Sequence, residues 1–193
     1  MKKYILIMVC LMAILGVAWA AGQSHPGKSK SITFNGKTFY LSYSVNDSSV
    51  GQWLNEYLPT GSNFNNYTDM FAVRFYENSK STPRQLAASM VAIYTKQYPG
   101  VKSVLSVDEE TGDGFVSYIM IEGNILEHNT YRTTTKDRTL ISLQYVHRKY
   151  CSQQEDRQKC MQSFAQEVRN HRAEWVNALK NMSVPTVVRA AKS

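Results

Sequence analysis

Four segments with strand character follow one another between residues 101 and 149, and this succession constrains the fold more than any other feature. Short turns separate them, and the first turn, 110–114, is rich in glycine. Consecutive strands joined by such short turns are typical of antiparallel pairing. The sequence therefore predicts a meander here. Its strands are 101–107, 115–122, 125–134 and 139–149.

Asn35-Gly36 lies between two alternating segments, 32–34 and 38–43. Asn-Gly in this position indicates a type I′ hairpin turn, because that turn needs positive φ at both central residues. We therefore predict a hairpin near the N-terminal end of the domain. Aromatic-rich and alternating patterns predict two further strands, at 52–58 and 70–76.

The first of two predicted helices begins at Ser81-Thr82-Pro83, where Ser or Thr can cap the helix and Pro suits its first turn. Pro99-Gly100 ends it. Apolar and long side chains recur between these points at helical spacing, which predicts an amphipathic helix. They are Leu86, Met90, Ile93, Tyr94 and Gln97.

A longer helix is predicted near the C-terminus, where apolar residues recur at steps of four and three with charge on the opposite side. Ser183-Val184-Pro185 ends it. The stripe that should face the core is Phe164, Val168, His171, Trp175, Leu179 and Met182.

These elements together predict an α+β fold. An antiparallel sheet of about six to eight strands should pack against two main helices, of which the longer is C-terminal. A chain of 193 residues is long enough to bury a core of its own. We therefore expect one domain, at residues 32–184, preceded by a flexible arm at 21–31 and followed by a tail at 185–193.

The N-terminus has the pattern of a secretion signal. Lys2 and Lys3 precede an uncharged apolar segment, 4–17, which is too short to span a bilayer, and Ala18-Trp19-Ala20 has the small-x-small pattern of a cleavage site. We expect a signal peptide at residues 1–20 and a periplasmic or secreted product. An uncleaved membrane anchor is the alternative.

The charge of the chain gives only a weak indication of its partners. Loss of Lys2 and Lys3 with the leader would lower the formal net charge from +7 to +5. A nucleic-acid-binding protein would gather such an excess on one face, whereas Lys and Arg here are interspersed with Asp and Glu. We expect no nucleic-acid partner, and no membrane span after residue 20, because the apolar segments there are short and interrupted.

Cys151 and Cys160 remain after removal of the leader, and they lie close together in the sequence. In an oxidising compartment such a pair favours a local disulfide at the entry to the C-terminal helix. A metal site is a weaker alternative, because the spacing does not resemble a zinc motif. A catalytic cysteine is also less favoured than a bridge.

No sequence motif specifies a chemistry. The patterns of zinc proteases, of α/β-hydrolase nucleophiles and of nucleotide-binding loops are missing from the chain. We therefore assign no catalytic residue, metal or cofactor. His128, next to Glu127, and His147, on the same side of a strand as Tyr145, leave an envelope hydrolase open as an alternative.

A surface of the sheet that carries arginines and tyrosines could recognise a ligand, since Tyr and Arg are favoured anchors of interfaces. A solvated sheet face is the plainer interpretation of the same pattern. The candidate binding residues are Tyr131, Arg132, Arg138, Tyr145, His147 and Arg148.

Three segments resemble small uncharacterised secreted proteins of Gram-negative bacteria. They are Trp53-Leu54-Asn55-Glu56-Tyr57-Leu58-Pro59 with Gly61, Asn66-Tyr67-Thr68-Asp69-Met70-Phe71-Ala72-Val73-Arg74, and Gln144-Tyr145-Val146-His147-Arg148. The order of elements is also similar to the PsbP-like fold. This resemblance implies an antiparallel sheet flanked by helices and an accessory role without catalysis, although the cysteine pair departs from PsbP itself.

The leading hypothesis is a periplasmic, non-catalytic binding or accessory protein that acts through a sheet surface. Its partner would be a protein or a small ligand of the cell envelope. The alternatives are an envelope hydrolase that uses His147 or His128, and a toxin-neutralising or secreted interaction protein, which would present a large exposed apolar or Tyr-rich patch. The sequence leaves the oligomeric state open.

Overall fold

The computed structural model describes residues 30–185 except 48, 50 and 153, and within them the chain forms eight strands and two helices. The strands are β1 (Ser31–Phe34), β2 (Lys37–Asp47), β3 (Gln52–Leu58), β4 (Asp69–Tyr76), β5 (Ser103–Val107), β6 (Gly114–Glu122), β7 (Ile125–Lys136) and β8 (Thr139–Tyr150). The helices are α1 (Pro83–Gln97) and α2 (Arg157–Asn181). The predicted α+β fold, with the longer helix at the C-terminus, is confirmed.

Two meanders meet at the centre of the single antiparallel sheet. Strands β1 to β4 pair in chain order, and so do β5 to β8, while β4 pairs with β8 to give the order β1-β2-β3-β4-β8-β7-β6-β5. The predicted meander and the predicted N-terminal hairpin are therefore confirmed. Asn35 and Gly36 both have positive φ, at 47° and 75°, as a type I′ turn requires.

One side of the sheet, which we call the α2 face, packs against α2. Alternate residues of β4 and β8, such as Phe71 and Leu143, meet the apolar stripe of the helix there, since successive strand residues point to opposite faces. His171 differs from the prediction, because it lies at the margin of the stripe and is exposed. The buried helix residues are Cys160, Phe164, Val168, Trp175 and Leu179.

The other side, the α1 face, is only partly covered. Helix α1 contacts β5, β6 and β7, and its start has the predicted form, with Thr82 and Gln85 in a reciprocal capping box. The helix lies close to the sheet at Gly114, where an added Cβ would be 2.6 Å from the Cβ of Ala87. Its main contacts do not extend to β2, β3 or β4, although Arg74 on β4 lies close enough to Tyr94 of α1 to interact with it electrostatically.

The predicted disulfide joins the sheet to α2 and is confirmed. Cys151 directly follows β8, and Cys160 lies in the first turns of α2, with 5.9 Å between their Cα atoms. Both cysteines are buried in the same cluster as Phe164. The bridge thus ties the start of the helix to the end of the central strand.

Neither helix within the described residues is long and apolar enough to cross a membrane. The predicted signal peptide at 1–20, most of the predicted arm and nearly all of the predicted tail lie outside the described residues.

Loss of the bridge should lower the free energy of unfolding by about 2–3 kcal/mol, because it closes a loop of nine residues in the unfolded chain. Urea unfolding of the protein and of its Cys151→Ala/Cys160→Ala double variant measures the difference. Thiol labelling of the unfolded protein without reductant provides the control, because freshly isolated material should show no reactive thiol at these positions. Two reactive thiols, or equal stabilities, would contradict the prediction.

Candidate functional site

The part of the α1 face formed by β2, β3 and β4 carries charged and aromatic side chains that reach solvent. We call it the Glu56–Arg74 surface. Tyr43 and Val45 on β2 are exposed, and so is Phe64 from the loop after β3. Its members are Tyr43, Val45, Leu54, Glu56, Phe64 and Arg74.

A β-bulge aligns the aromatic side chains of this surface. The register of β2 against β3 shifts between Leu41 and Tyr43, so that Tyr40 and Tyr43 lie on the same face although they are three residues apart. Tyr43 is directly opposite Glu56. Its ring meets the ring of Phe64 edge to face, with 6.3 Å between their centroids.

Glu56 and Arg74 carry opposite charges on neighbouring strands, and both are half-buried. The Glu56 carboxylate has no hydrogen bond or ion pair with any residue in the described part of the chain. Burial raises the pKa of Glu56, and the positive charge of Arg74 offsets only part of that effect. The surface therefore holds a carboxylate whose ionisation is disfavoured in the folded protein.

Arg74 begins a chain of hydrogen bonds across the centre of the sheet. Its Nη1 donates to Oε1 of Gln144 at 2.5 Å, and Nε2 of Gln144 donates to Oδ1 of Asn129 at 2.7 Å. The side-chain amide of Asn129 donates in turn to Glu127, at 2.9 Å. Glu127 ends the chain in an ion pair with Arg148. The network fixes Gln144 as the acceptor that orients Arg74.

Tyrosine hydroxyls from α1 and the sheet meet on the same face. The hydroxyl of Tyr131 lies 2.9 Å from that of Tyr94 and 3.2 Å from that of Tyr118. The hydroxyl of Ser142, which lies directly opposite Arg74 on β8, is buried and has no partner among the described residues. A buried polar group without a partner costs free energy, so Ser142 marks a place where the polar face is incompletely satisfied.

This arrangement can bind a charged ligand. Arg74 presents five N–H donors and uses one of them on Gln144, so donors remain for a carboxylate or a similar anion. Tyr43 and Phe64 offer aromatic surface beside it. None of these side chains forms the nucleophile–base pair that covalent catalysis needs.

The six predicted binding residues do not share one surface. Tyr131 and Arg148 lie on the α1 face, whereas Arg132, Tyr145 and His147 lie on the α2 face. Arg138 lies in the turn between β7 and β8 and has a φ of 62°. The alternation of side chains along β7 and β8 separates neighbours such as Tyr131 and Arg132.

Arg132 caps the C-terminal end of α2. Its Nη1 donates to the carbonyls of Leu179, Lys180 and Met182, at 2.9, 3.0 and 2.9 Å, and its Nε donates to Asp113 at 2.7 Å. The carbonyl of Leu179 also accepts a hydrogen bond from the backbone N–H of Met182, and the guanidinium adds a side-chain donor to the carbonyls at this helix end. Two of the three guanidinium nitrogens therefore hold contacts within the fold.

His147 joins the sheet to α2. Its Nδ1 lies 3.2 Å from Oδ1 of Asp69 and its Nε2 lies 3.1 Å from Oε1 of Glu167. Tyr145 donates to the same Asp69 oxygen at 2.5 Å. Within the described residues no hydroxyl or thiol hydrogen-bonds to His147, so this carboxylate–imidazole arrangement has no nucleophile beside it.

His128 is buried against Trp175, with 5.3 Å between the ring centroids. Burial lowers its pKa to about 3, and the nearby Arg172 and His147 add to that effect. Glu127 and His128 lie on opposite faces of β7, and Glu127 pairs with Arg148 instead. Nδ1 of His128 lies 3.5 Å from the hydroxyl of Thr130, and its Nε2 is buried without a partner among the described residues.

A cavity of about 530 Å³ lies at the start of α1. Arg84, Asp113, Arg132 and Thr134 line it in part. Arg132 and Asp113 are already paired with each other.

Sequence analysis missed Glu56, Arg74 and Gln144. A signal for them exists, because Arg74 is the one charged residue inside the otherwise uncharged segment 70–76. A lone charge within a strand buried on both sides needs a partner or a ligand. Pairing β3, β4 and β8 side by side is what brings the three residues together.

Replacing Asp69 with Asn should lower the free energy of unfolding by about 1–3 kcal/mol at pH 7, because Tyr145 and His147 lose a charged acceptor. Although burial acts in the opposite direction, hydrogen bonds from His147, Tyr145 and Lys37 lower the pKa of Asp69. A lowered folded pKa gives stability that is present above the unfolded pKa of about 3.9 and is lost as the pH falls below it.

Urea unfolding at pH 7 and pH 3 measures this dependence. The difference between Asp69→Asn and the natural protein should shrink at pH 3. Lys37→Gln is the matched control and should have a small effect, since Lys37 is 58% exposed. A difference of the same size at both pH values would contradict the assignment.

The comparisons with known proteins give a family and nothing finer. A search of curated proteins finds no significant match. Residues 27–184, which include all eight strands and both helices, match one family model. This match covers well over half of the chain, and the protein therefore belongs to the bacterial family that the model describes.

Proposed function

We propose that the protein is a non-catalytic binding or accessory protein that works in the periplasm or outside the cell, and that it binds its partner on the Glu56–Arg74 surface. One observation carries this proposal. Glu56 and Arg74 are half-buried and opposite in charge, they form no ion pair with each other, and they lie on the side of β3 and β4 that faces away from α2.

Two half-buried charges that form no ion pair lower the stability of the folded protein. A partly desolvated charge costs free energy unless an opposite charge or hydrogen bonds compensate it. A ligand that supplies the missing partners would recover that free energy on binding. The same surface carries the residue types that are favoured at binding sites, in Arg74, Tyr43 and Phe64.

The proposed compartment draws support from two features. Lys2-Lys3, the short apolar segment and Ala18-Trp19-Ala20 have the pattern of a cleaved leader. The disulfide between Cys151 and Cys160 is of a kind that persists in an oxidising compartment.

A secreted interaction protein is the second candidate, and the exposed aromatic side chains favour it. Tyr40, Tyr43, Val45 and Phe64 are each between 39% and 49% exposed. Exposed aromatic residues on one face can anchor a protein partner as well as a small ligand. The hydrolase alternative has less support, because both ring nitrogens of His147 are held by carboxylates.

Export predicts a defined N-terminus. Protein isolated from the cell envelope or from the medium should begin at Ala21 or one or two residues later, because Ala18-Trp19-Ala20 is the expected cleavage site. N-terminal sequencing of each cell fraction measures this. An intact Met1 on a cytoplasmic product would contradict export.

Binding on the Glu56–Arg74 surface predicts an additional mass on the protein in native mass spectrometry after gentle purification from the producing cell. Arg74→Gln and Tyr43→Ala should both lose that mass, because they remove the charge and the adjacent ring. Arg169→Gln is the control, since Arg169 is exposed on α2, at the other side of the sheet. A partner that both surface variants retain would place binding elsewhere, and a protein that carries no partner would contradict the proposal.

A further inference from the structure

The register of the sheet fixes how Glu56 and Arg74 are placed. Glu56 is directly opposite Ala72 on β4, and Arg74 is two residues further along that strand, so the two charged residues are diagonal neighbours on one face. Diagonal neighbours in antiparallel strands are about 7–8 Å apart, within reach of long side chains. The two nevertheless form no ion pair.

The structure holds Arg74 away from Glu56. Gln144 accepts the hydrogen bond from Nη1 of Arg74, and Gln144 is itself held by Asn129. The guanidinium is therefore oriented from the side of β8, opposite to β3. In the register, Ala72 on β4 lies between Glu56 on β3 and Gln144 on β8, so the side chain between these two residues is a methyl group.

A third feature points to a polar ligand. Ser142 lies opposite Arg74 on the same face, is fully buried and leaves its hydroxyl unpaired within the described residues. Charge and hydrogen-bonding capacity thus remain unused on both sides of Arg74. Aromatic surface adjoins the other charge, because Tyr43 is directly opposite Glu56 and meets Phe64.

We propose that this surface binds a small zwitterion with an aromatic group, such as an aromatic α-amino acid. Its carboxylate lies on Arg74, its ammonium group lies on Glu56, and its ring packs against Tyr43 and Phe64. The inference rests on the proposed function, because it names the ligand class of the same surface. Charge complementarity supports this inference, because Glu56 and Arg74 carry opposite charges without forming an ion pair, and a zwitterion carries one charge for each of them.

The test compares three probes that share a ring and differ in charge. L-phenylalanine carries both charges, phenylacetate carries only the carboxylate, and phenethylamine carries only the ammonium group. NMR titration of the labelled, exported protein should give about tenfold tighter binding for L-phenylalanine than for either of the others, as one charged hydrogen bond is worth about that factor. Equal affinities for the three probes, or no binding of L-phenylalanine, would overturn the inference.

Variants assign each charge to its partner. Arg74→Gln should reduce the affinity for L-phenylalanine about tenfold and leave that for phenethylamine unchanged. Glu56→Gln should also reduce the affinity for L-phenylalanine about tenfold, but it should leave the affinity for phenylacetate unchanged. Arg169→Gln on α2 should alter neither. If L-phenylalanine binds both surface variants as tightly as the natural protein, the assignment is wrong.

The stability of Glu56→Gln provides a second readout that does not depend on the choice of probe. Because the folded pKa of Glu56 is raised, its ionisation costs stability as the pH rises through the interval between the unfolded and the folded pKa. Glu56→Gln should therefore have a higher urea midpoint than the natural protein at pH 7 and an equal one at pH 3. A lower midpoint at pH 7 would mean that the fold itself uses this carboxylate, and it would overturn the inference.

The two proposals can fail separately. A native partner that depends on Arg74 and Tyr43, together with no preference for L-phenylalanine, would refute the ligand class and leave the binding surface in place. If neither Arg74→Gln nor Tyr43→Ala loses the additional mass, the protein does not bind its partner on the Glu56–Arg74 surface.

Discussion

The pairing of β4 with β8 is the interaction on which the rest of the structure depends. Each of these strands is the last of its own meander, and their eight matched residue pairs join two four-stranded units into one sheet. Helix α2 contacts β7 and β8 of the second unit, and its buried residues share one core cluster with residues of β1 to β4. The long-range register therefore creates the surface on which the helix packs, as well as the polar face behind it.

The two faces of the β4–β8 pair differ in polarity. Phe71 and Tyr145 face α2 and continue into the buried aromatic core, while Arg74 and Gln144 face the other way and hold polar contacts. Period-two alternation permits both within one pair of strands. Asp69 and His147, at the end of the same ladder, fasten it to α2 through Glu167. A stable helix–sheet core thus supports a face whose charges are less than fully satisfied.

Local patterns were sufficient to predict most of the fold. The hairpin at Asn35-Gly36, the start of α1 at Thr82-Pro83 and the bridge between Cys151 and Cys160 each follow from residues near one another in the sequence, and all three are confirmed. His171 fails because a position at the edge of a helical stripe depends on the exact angle between helix and sheet, which spacing alone does not give.

The site was harder to predict for a physical reason. Glu56, Arg74 and Gln144 come from three strands, and their proximity depends on the pairing of β4 with β8, which links residues about 70 positions apart in the chain. Arg132 shows what long-range packing adds to such a prediction. It is one of the predicted binding residues, and its Nη1 donates to carbonyls at the end of α2.

The contacts that hold the two ends of α2 determine which parts of the protein can move. A covalent bridge holds the first turns of the helix, and the Arg132 guanidinium holds its last carbonyls, so that it can neither slide along the sheet nor lift from one end without breaking a strong link. Helix α1 has no covalent link and lies against the sheet through tyrosine hydroxyls and small side chains. A structural adjustment to a bound ligand therefore costs the least free energy at α1 and at the loop that carries Phe64. The α2 face of the sheet stays rigid.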